Sequence, residues 1–116
     1  MKSPMSPSAT RNARNLPGKA KDVSRVLRGL AHPARLRILC RLFEGPASVR
    51  ELEKACGLSQ AQTSQFLARL RAEGQVRAQR EGQFVRYSLE SSQVAELIEA
   101  ICRIYCKAPR ARGRAA

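Results

Sequence analysis

The sequence predicts a mainly α domain carrying a single two-stranded β ribbon, and three observations lead there. Apolar residues recur at helical spacing through most of the foldable stretch and again at its end. The period switches once, to the alternation of a strand, over Val76–Leu89. Breakers at His32-Pro33, Gly45-Pro46, Gly57, Gly74 and Gly82 cut the chain into pieces that suit one small domain.

The first helix reads from Lys21 to Ala31, with Val23, Val26, Leu27 and Leu30 on one face. His32-Pro33 ends it. Pro33 suits the first position of the next helix, where its fixed φ helps and its missing N–H is not needed. Leu36, Leu39, Cys40 and Phe43 define the face of that second helix. Ser48 with Glu51 is a capping-box pattern and opens a short third helix to Cys56, with Val49 and Leu52 inward. Ser59 with Gln62 repeats the pattern after Gly57 and opens a fourth helix to about Ala72, with Thr63, Phe66, Leu67 and Leu70 as its apolar side. Two short helices joined through a tight Gly turn form a helix-turn-helix. Val76–Arg80 and Phe84–Leu89 then read as strands about the turn Glu81-Gly82-Gln83, which is a wing. Ser91 or Ser92 caps a last helix. Its Val94, Leu97, Ile98, Ile101, Ile104 and Tyr105 exceed one thin stripe, so part of that surface is expected to meet a second copy. The predicted fold is thus a winged helix-turn-helix homodimer.

Charge directs the functional reading. The chain has 116 residues, 22 Lys and Arg against 9 Asp and Glu, and a net charge of +13. Such a balance favours a polyanion, with nucleic acid ahead of an anionic membrane surface. Residues 1–20 and 107–116 are rich in Ser, Pro, Ala and Gly, are basic, and read as disordered arms flanking a folded domain at 21–106. No apolar run is long enough to span a membrane, and the first residues lead into no apolar stretch, so neither anchor nor signal peptide is expected and a cytoplasmic location follows. The four cysteines would then rest as thiols. No carboxylate pair with a pocket, phosphate loop or His beside a nucleophile marks an enzyme, and no cofactor is expected.

The fourth helix is the candidate recognition helix, with Ser59, Gln60, Gln62, Ser64 and Gln65 offered to base edges. Gln pairs bidentately with adenine, and Ser donates or accepts. Arg69 and Arg71 lie further along and suit phosphate, while Arg77, Arg80, Gln83 and Arg86 of the wing suit the backbone or the minor groove. A non-specific architectural coat of DNA by the basic arms is the competing reading. It would show no operator preference and a steep salt slope.

Five segments together resemble the arsenic-repressor (ArsR/SmtB) family of winged-helix repressors. They are Leu30-Ala-His-Pro-Ala-Arg-Leu-Arg-Ile-Leu39, Val49-Arg-Glu-Leu52, Gly57-Leu-Ser-Gln-Ala-Gln-Thr-Ser64, Leu67-Ala-Arg-Leu-Arg-Ala-Glu-Gly74 and Arg86-Tyr-Ser-Leu89. The resemblance spans about Asp22 to Cys106. It implies a homodimer built on the first and last helices that binds double-stranded operator DNA and represses until a metal or a thiol-directed signal arrives. Phe66 stands where a polar residue is common in the family, and Gln75 where an apolar one is.

The family's Cys-x-Cys metal pair is absent from the third helix, and the last helix carries Glu96 and Glu99 without a His. The single His32 reads as structural, and the cysteine spacings match no closed zinc motif, so no metal site is assigned. Cys40 on the second helix and Cys106 at the end of the last resemble the subgroup of repressors that sense persulfides. There the resemblance implies a dithiol switch with a persulfide or polysulfide inducer. Arg41 and Arg103 adjoin the pair in sequence and would lower a thiol pKa if directed at it. Cys102, one turn before Cys106, is a possible third thiol. It keeps open a soft-metal or arsenite response as the alternative. Cys56 reads as an inert core residue.

Overall fold

The computed structural model describes residues 15–106. Its elements are α1 (Leu16–Leu30), α2 (Pro33–Phe43), α3 (Val49–Cys56), α4 (Gln60–Ala72), β1 (Val76–Glu81), β2 (Phe84–Leu89) and α5 (Ser92–Tyr105). The winged helix-turn-helix is present as the sequence predicts. Residues 1–14 and 107–116, the greater part of one predicted arm and the whole of the other, lie outside the described residues.

Local chemistry sets the helix ends. His32 caps α2 through Nδ1, which accepts the Ala34 N–H at 3.1 Å, and Pro33 occupies the first turn. Ser48–Glu51 and Ser59–Gln62 both form complete capping boxes. Ser91 caps α5 by accepting from the Val94 N–H. Gly57 closes α3 in the left-handed region, at φ 67°, where a side chain would be strained. Two features differ from the sequence reading. Helix α1 starts at Leu16 rather than Lys21, inside the stretch 1–20 read as an arm. Pro17 preorganises its first turn, and residues 15–22 are exposed, so no apolar periodicity announces them. The buried face of α2 is Ala34, Arg35, Ile38, Leu39 and Leu42. Phe43, expected inward, is 41% exposed, while Leu36 and Cys40 are half-buried.

Helix α2 is the central strut. It packs against α1, α3, α5 and β2. Ile38 and Leu39 are fully buried among Leu52 of α3, Leu67 and Leu70 of α4, Val76 of β1, and Val94 and Ile98 of α5. The strands pair antiparallel with Val76 opposite Leu89 and Glu81 opposite Phe84, which leaves the two-residue loop Gly82-Gln83. Gly82 has φ 65°, as the first position of a primed hairpin turn requires. A further link is absent from any local pattern. Ala47, between α2 and α3, exchanges both backbone hydrogen bonds with Tyr87 of β2, at 3.0 and 2.8 Å. Gln75 precedes β1 without disturbing it. Its buried amide lies against Gly29, where a Cβ would come within 2.8 Å, and its Oε1 has no partner.

Arg35 of α2 reaches Glu73, just past the end of α4, through Nη2 in a charge-assisted pair. The two ends are unequal: the Arg35 side chain is 11% exposed and that of Glu73 28%. Deleting the acid strands a buried cation, whereas deleting the base frees a carboxylate that water can reach. Glu73→Gln is therefore expected to cost about 1–3 kcal/mol, and Arg35→Met less. Urea midpoints of the two variants check the ordering, and a more damaging Arg35→Met would refute it.

Helices α1 and α5 leave a wide groove of about 1320 Å³ between them, floored by Val23, Val26, Val94 and Leu97. Leu16, Leu27, Ile104 and Tyr105 remain exposed on the same two helices. No helix among the described residues is long and apolar enough to cross a membrane.

Candidate DNA-reading surface and thiol cluster

Helix α4 buries Thr63, Leu67 and Leu70 and half-buries Phe66, which turns Gln60, Ser64, Gln65 and Arg69 outward. The Thr63 hydroxyl donates to the Ser59 carbonyl at 2.8 Å and steadies the first turn. Ser59 and Gln62, offered by the sequence both to a capping box and to base edges, form the box and are engaged with each other. The Ser59 Oγ accepts the Gln62 N–H at 3.1 Å, and the Gln62 Oε1 accepts the Ser59 N–H at 3.0 Å. The box thus takes one of the two acceptor sites of the Gln62 oxygen and leaves its amide donors free. Gln60, Ser64 and Gln65 are exposed along the same helix.

The wing sorts its cations. Strand pairing puts Arg77 and Arg86 on one face of the ribbon and Arg80 on the other. Arg77 pairs with Glu90 at 3.3 Å. The Arg86 Nε donates to Glu81 at 3.1 Å, and its Nη1 lies 3.8 Å from Glu51 of α3. Arg80 and Gln83 are exposed near the tip. Arg77 and Arg86 thus serve partly to tie the wing down, a use that their positions in sequence do not reveal. The structure also assembles residues that pattern reading leaves apart. His32, Arg35, Gln65, Phe66 and Arg69 line a depression of about 350 Å³ on the flank of α4.

All four cysteines are free thiols. Cys40 and Cys102 are half-buried and pack on the common core, while Cys106 is exposed at the end of α5. The Cys106 N–H donates to the Cys102 carbonyl at 2.8 Å. Burial pushes the Cys40 thiol above the usual range, and the neighbouring Cys102, Cys106 and Cys56 sulfurs and Glu44 add to this. Burial raises Cys102 as well, followed by the charge and hydrogen bond of Cys106. The condition under which Arg41 would lower the Cys40 pKa is not met. Its guanidinium donates to the Gly45 carbonyl at 3.0 Å, and its field acts instead on Cys56, which burial nonetheless raises.

Exposure and pKa together set an order of reactivity. Brief treatment with iodoacetamide at neutral pH is expected to label Cys106 ahead of Cys40 and Cys56. Labelling of Cys40 should climb only as the pH passes the ordinary thiol value of 9.0. Peptide mapping checks this, and Cys40 labelled first would refute it. The linked stability has a definite sign. The fold holds the Cys40 and Cys56 protons more tightly than the unfolded chain does. Their contribution is therefore full below 9.0 and is lost as pH rises through the raised folded values.

Among the described residues, no three His, Cys, Asp or Glu side chains converge in a way that could hold a metal ion.

Residues 32–78 match the model of the bacterial regulatory protein, arsR family. The chain is 39% identical over 92 residues to the HTH-type transcriptional regulator YgaV of Escherichia coli K12, a match that covers 78% of this chain and 93% of that one. Its fold is similar to the crystal structure of the transcriptional repressor BigR from Xylella fastidiosa, with a TM-score of 0.77, 36% identity, and coverage of 81% and 96% of the two chains. It is also similar to reduced HlyU from Vibrio cholerae, with a TM-score of 0.74, 38% identity, and coverage of 80% and 98%.

Proposed function

The chain belongs to the arsR family of bacterial regulatory proteins, a family of DNA-binding transcriptional regulators, and from that premise we propose that it is a homodimeric, cytoplasmic operator repressor released by reactive sulfur through Cys40 and Cys106. The observation that carries the reading is that Cys40 is half-buried on α2, Cys102 half-buried on α5 and Cys106 exposed at the end of α5, all three free thiols on two helices that pack against each other. The exposed apolar residues of α1 and α5, and the groove between these helices, support assembly of two copies there.

The chemistry follows the order of exposure. The Cys106 thiolate attacks the sulfane sulfur of a low-molecular-weight persulfide, RSSH, to give a Cys106 persulfide and RSH. The Cys40 thiol, deprotonating as it attacks, displaces the outer sulfur as hydrogen sulfide. The sum is RSSH plus two thiols giving one disulfide, RSH and hydrogen sulfide. Such a link would tie α2, the strut behind α4, to the helix that faces the second copy. A second RSSH that first extends the Cys106 persulfide by one sulfur, releasing another RSH, would let the same displacement of hydrogen sulfide leave a trisulfide link.

Anaerobic exposure of the reduced protein to glutathione persulfide, followed by intact mass and linked-peptide mapping, tests the assignment. A Cys40–Cys106 peptide is the expected product. Unmodified cysteines alongside stoichiometric arsenite or zinc binding would replace this reading with the soft-metal one.

A further inference from the structure

The depression on the flank of α4 has a composition that α4 alone cannot supply. Arg35 comes from α2 and His32 from its cap, and Gln65, Phe66 and Arg69 come from α4. His32 uses Nδ1 to accept the Ala34 N–H, so the neutral imidazole carries its proton on Nε2, which remains a donor. The ring is held against Phe66, with centroids 5.0 Å apart at 55°. Arg35 is nine-tenths buried; Glu73 occupies its Nη2, and its Nε has no partner. Gln65 and Arg69 are exposed and four residues apart, hence neighbours on one side of the helix. Every polar residue lining the depression is a donor, and none is acidic. A cavity of about 350 Å³ so lined suits a tetrahedral oxyanion.

Its position says which oxyanion. Gln60, Ser64 and Gln65 head the exposed side of α4, and the depression lies on the flank towards the N-terminus of α2. When a helix enters a major groove, the sugar–phosphate backbone runs along its flanks, and contacts there set its register. We propose that His32, Gln65 and Arg69, backed by Arg35 and Phe66, seat one backbone phosphodiester per half-site and thereby fix the depth and roll of α4. This rests on DNA binding by the helix-turn-helix and is independent of the thiol switch. It gives His32 a second task beside helix capping.

The test uses the full-length chain and a fluorescent 30-bp duplex selected from a random pool by the parent protein. His32→Asn keeps a capping oxygen while removing the ring donor. Arg69→Gln removes the charge. Salt series should show a slope of log K against log salt that is shallower by about one in Arg69→Gln. The double variant should bind about tenfold more weakly, by a similar factor on the selected duplex and on random DNA, because a phosphate carries no sequence. The chain has one His, so one imidazole NMR signal reports the seat directly. That signal should move on adding duplex. It should move less on a duplex whose flanking phosphates are replaced by neutral methylphosphonates. Parental affinity and slope in both variants, or an unmoved His signal at saturating duplex, would overturn the proposal. So would a signal that moves with inorganic phosphate and not with DNA, which would make this a seat for a free anion. A parent protein that selects no duplex would fail the DNA reading itself, and that outcome is distinct from all of these.

Discussion

A Cys106→Ser protein is expected to bind operator DNA with parental affinity and to remain bound after glutathione persulfide is added, under conditions in which the parent releases completely. The substitution is nearly isosteric and lies at the exposed end of α5. It removes the sulfur that persulfide meets first. Cys40→Ser should give the same silence for a different reason. It still accepts sulfur at Cys106 but cannot displace hydrogen sulfide, so a Cys106 persulfide accumulates without a link. Cys102→Ser is the informative control. It removes a neighbour that raises the Cys40 pKa, so release should persist and the link should form at least as fast. Gel-shift titration and mass spectrometry on the three variants decide the matter. Parental release by both Cys40→Ser and Cys106→Ser would sink the dithiol assignment, whereas silence in Cys102→Ser alone would move the switch to that residue.

Ile38→Ala should be the most damaging single change to the fold. The side chain is completely buried at the middle of α2, the one helix that packs against α1, α3, α5 and β2. Truncation removes three carbons from a site that several elements enclose and that cannot easily collapse. The expected loss is about 2–5 kcal/mol, a large share of the roughly 5–15 kcal/mol available to a domain of this kind. Urea unfolding at fixed protomer concentration measures it, since dimerisation would otherwise shift the midpoint. A change below about 1 kcal/mol would contradict the packing described for α2.

What is legible in the sequence is local. Ser48–Glu51, Ser59–Gln62, Ser91 and Gly82 each act within three or four residues. The sequence therefore carries the helix starts and the hairpin turn on its face. The start of α1 at Leu16 is hidden because exposed turns show no apolar period. The inward face of α2 departs from its apolar pattern because Arg35 is buried by Glu73, a partner 38 residues away, while Phe43 stays outside. At the reading surface, the sequence shows residue types and not their availability. Arg77 and Arg86 look free and are paired. The depression that joins His32 to Arg69 has no signature along the chain, because its two halves meet only when α2 and α4 are packed.

The backbone exchange between Ala47 and Tyr87 has a consequence for the life of the protein in a crowded solution. A two-stranded ribbon normally presents two open edges, each a template on which another chain can add a strand and begin an aggregate. Here Ala47 occupies part of the outer edge of β2. The outer edge of β1 carries Arg77, Arg80 and Glu81 along its length, charges that an incoming strand would have to desolvate. The ribbon is thus shielded on one side by its own chain and on the other by charge. The wing can thus stay exposed without being offered to neighbouring chains.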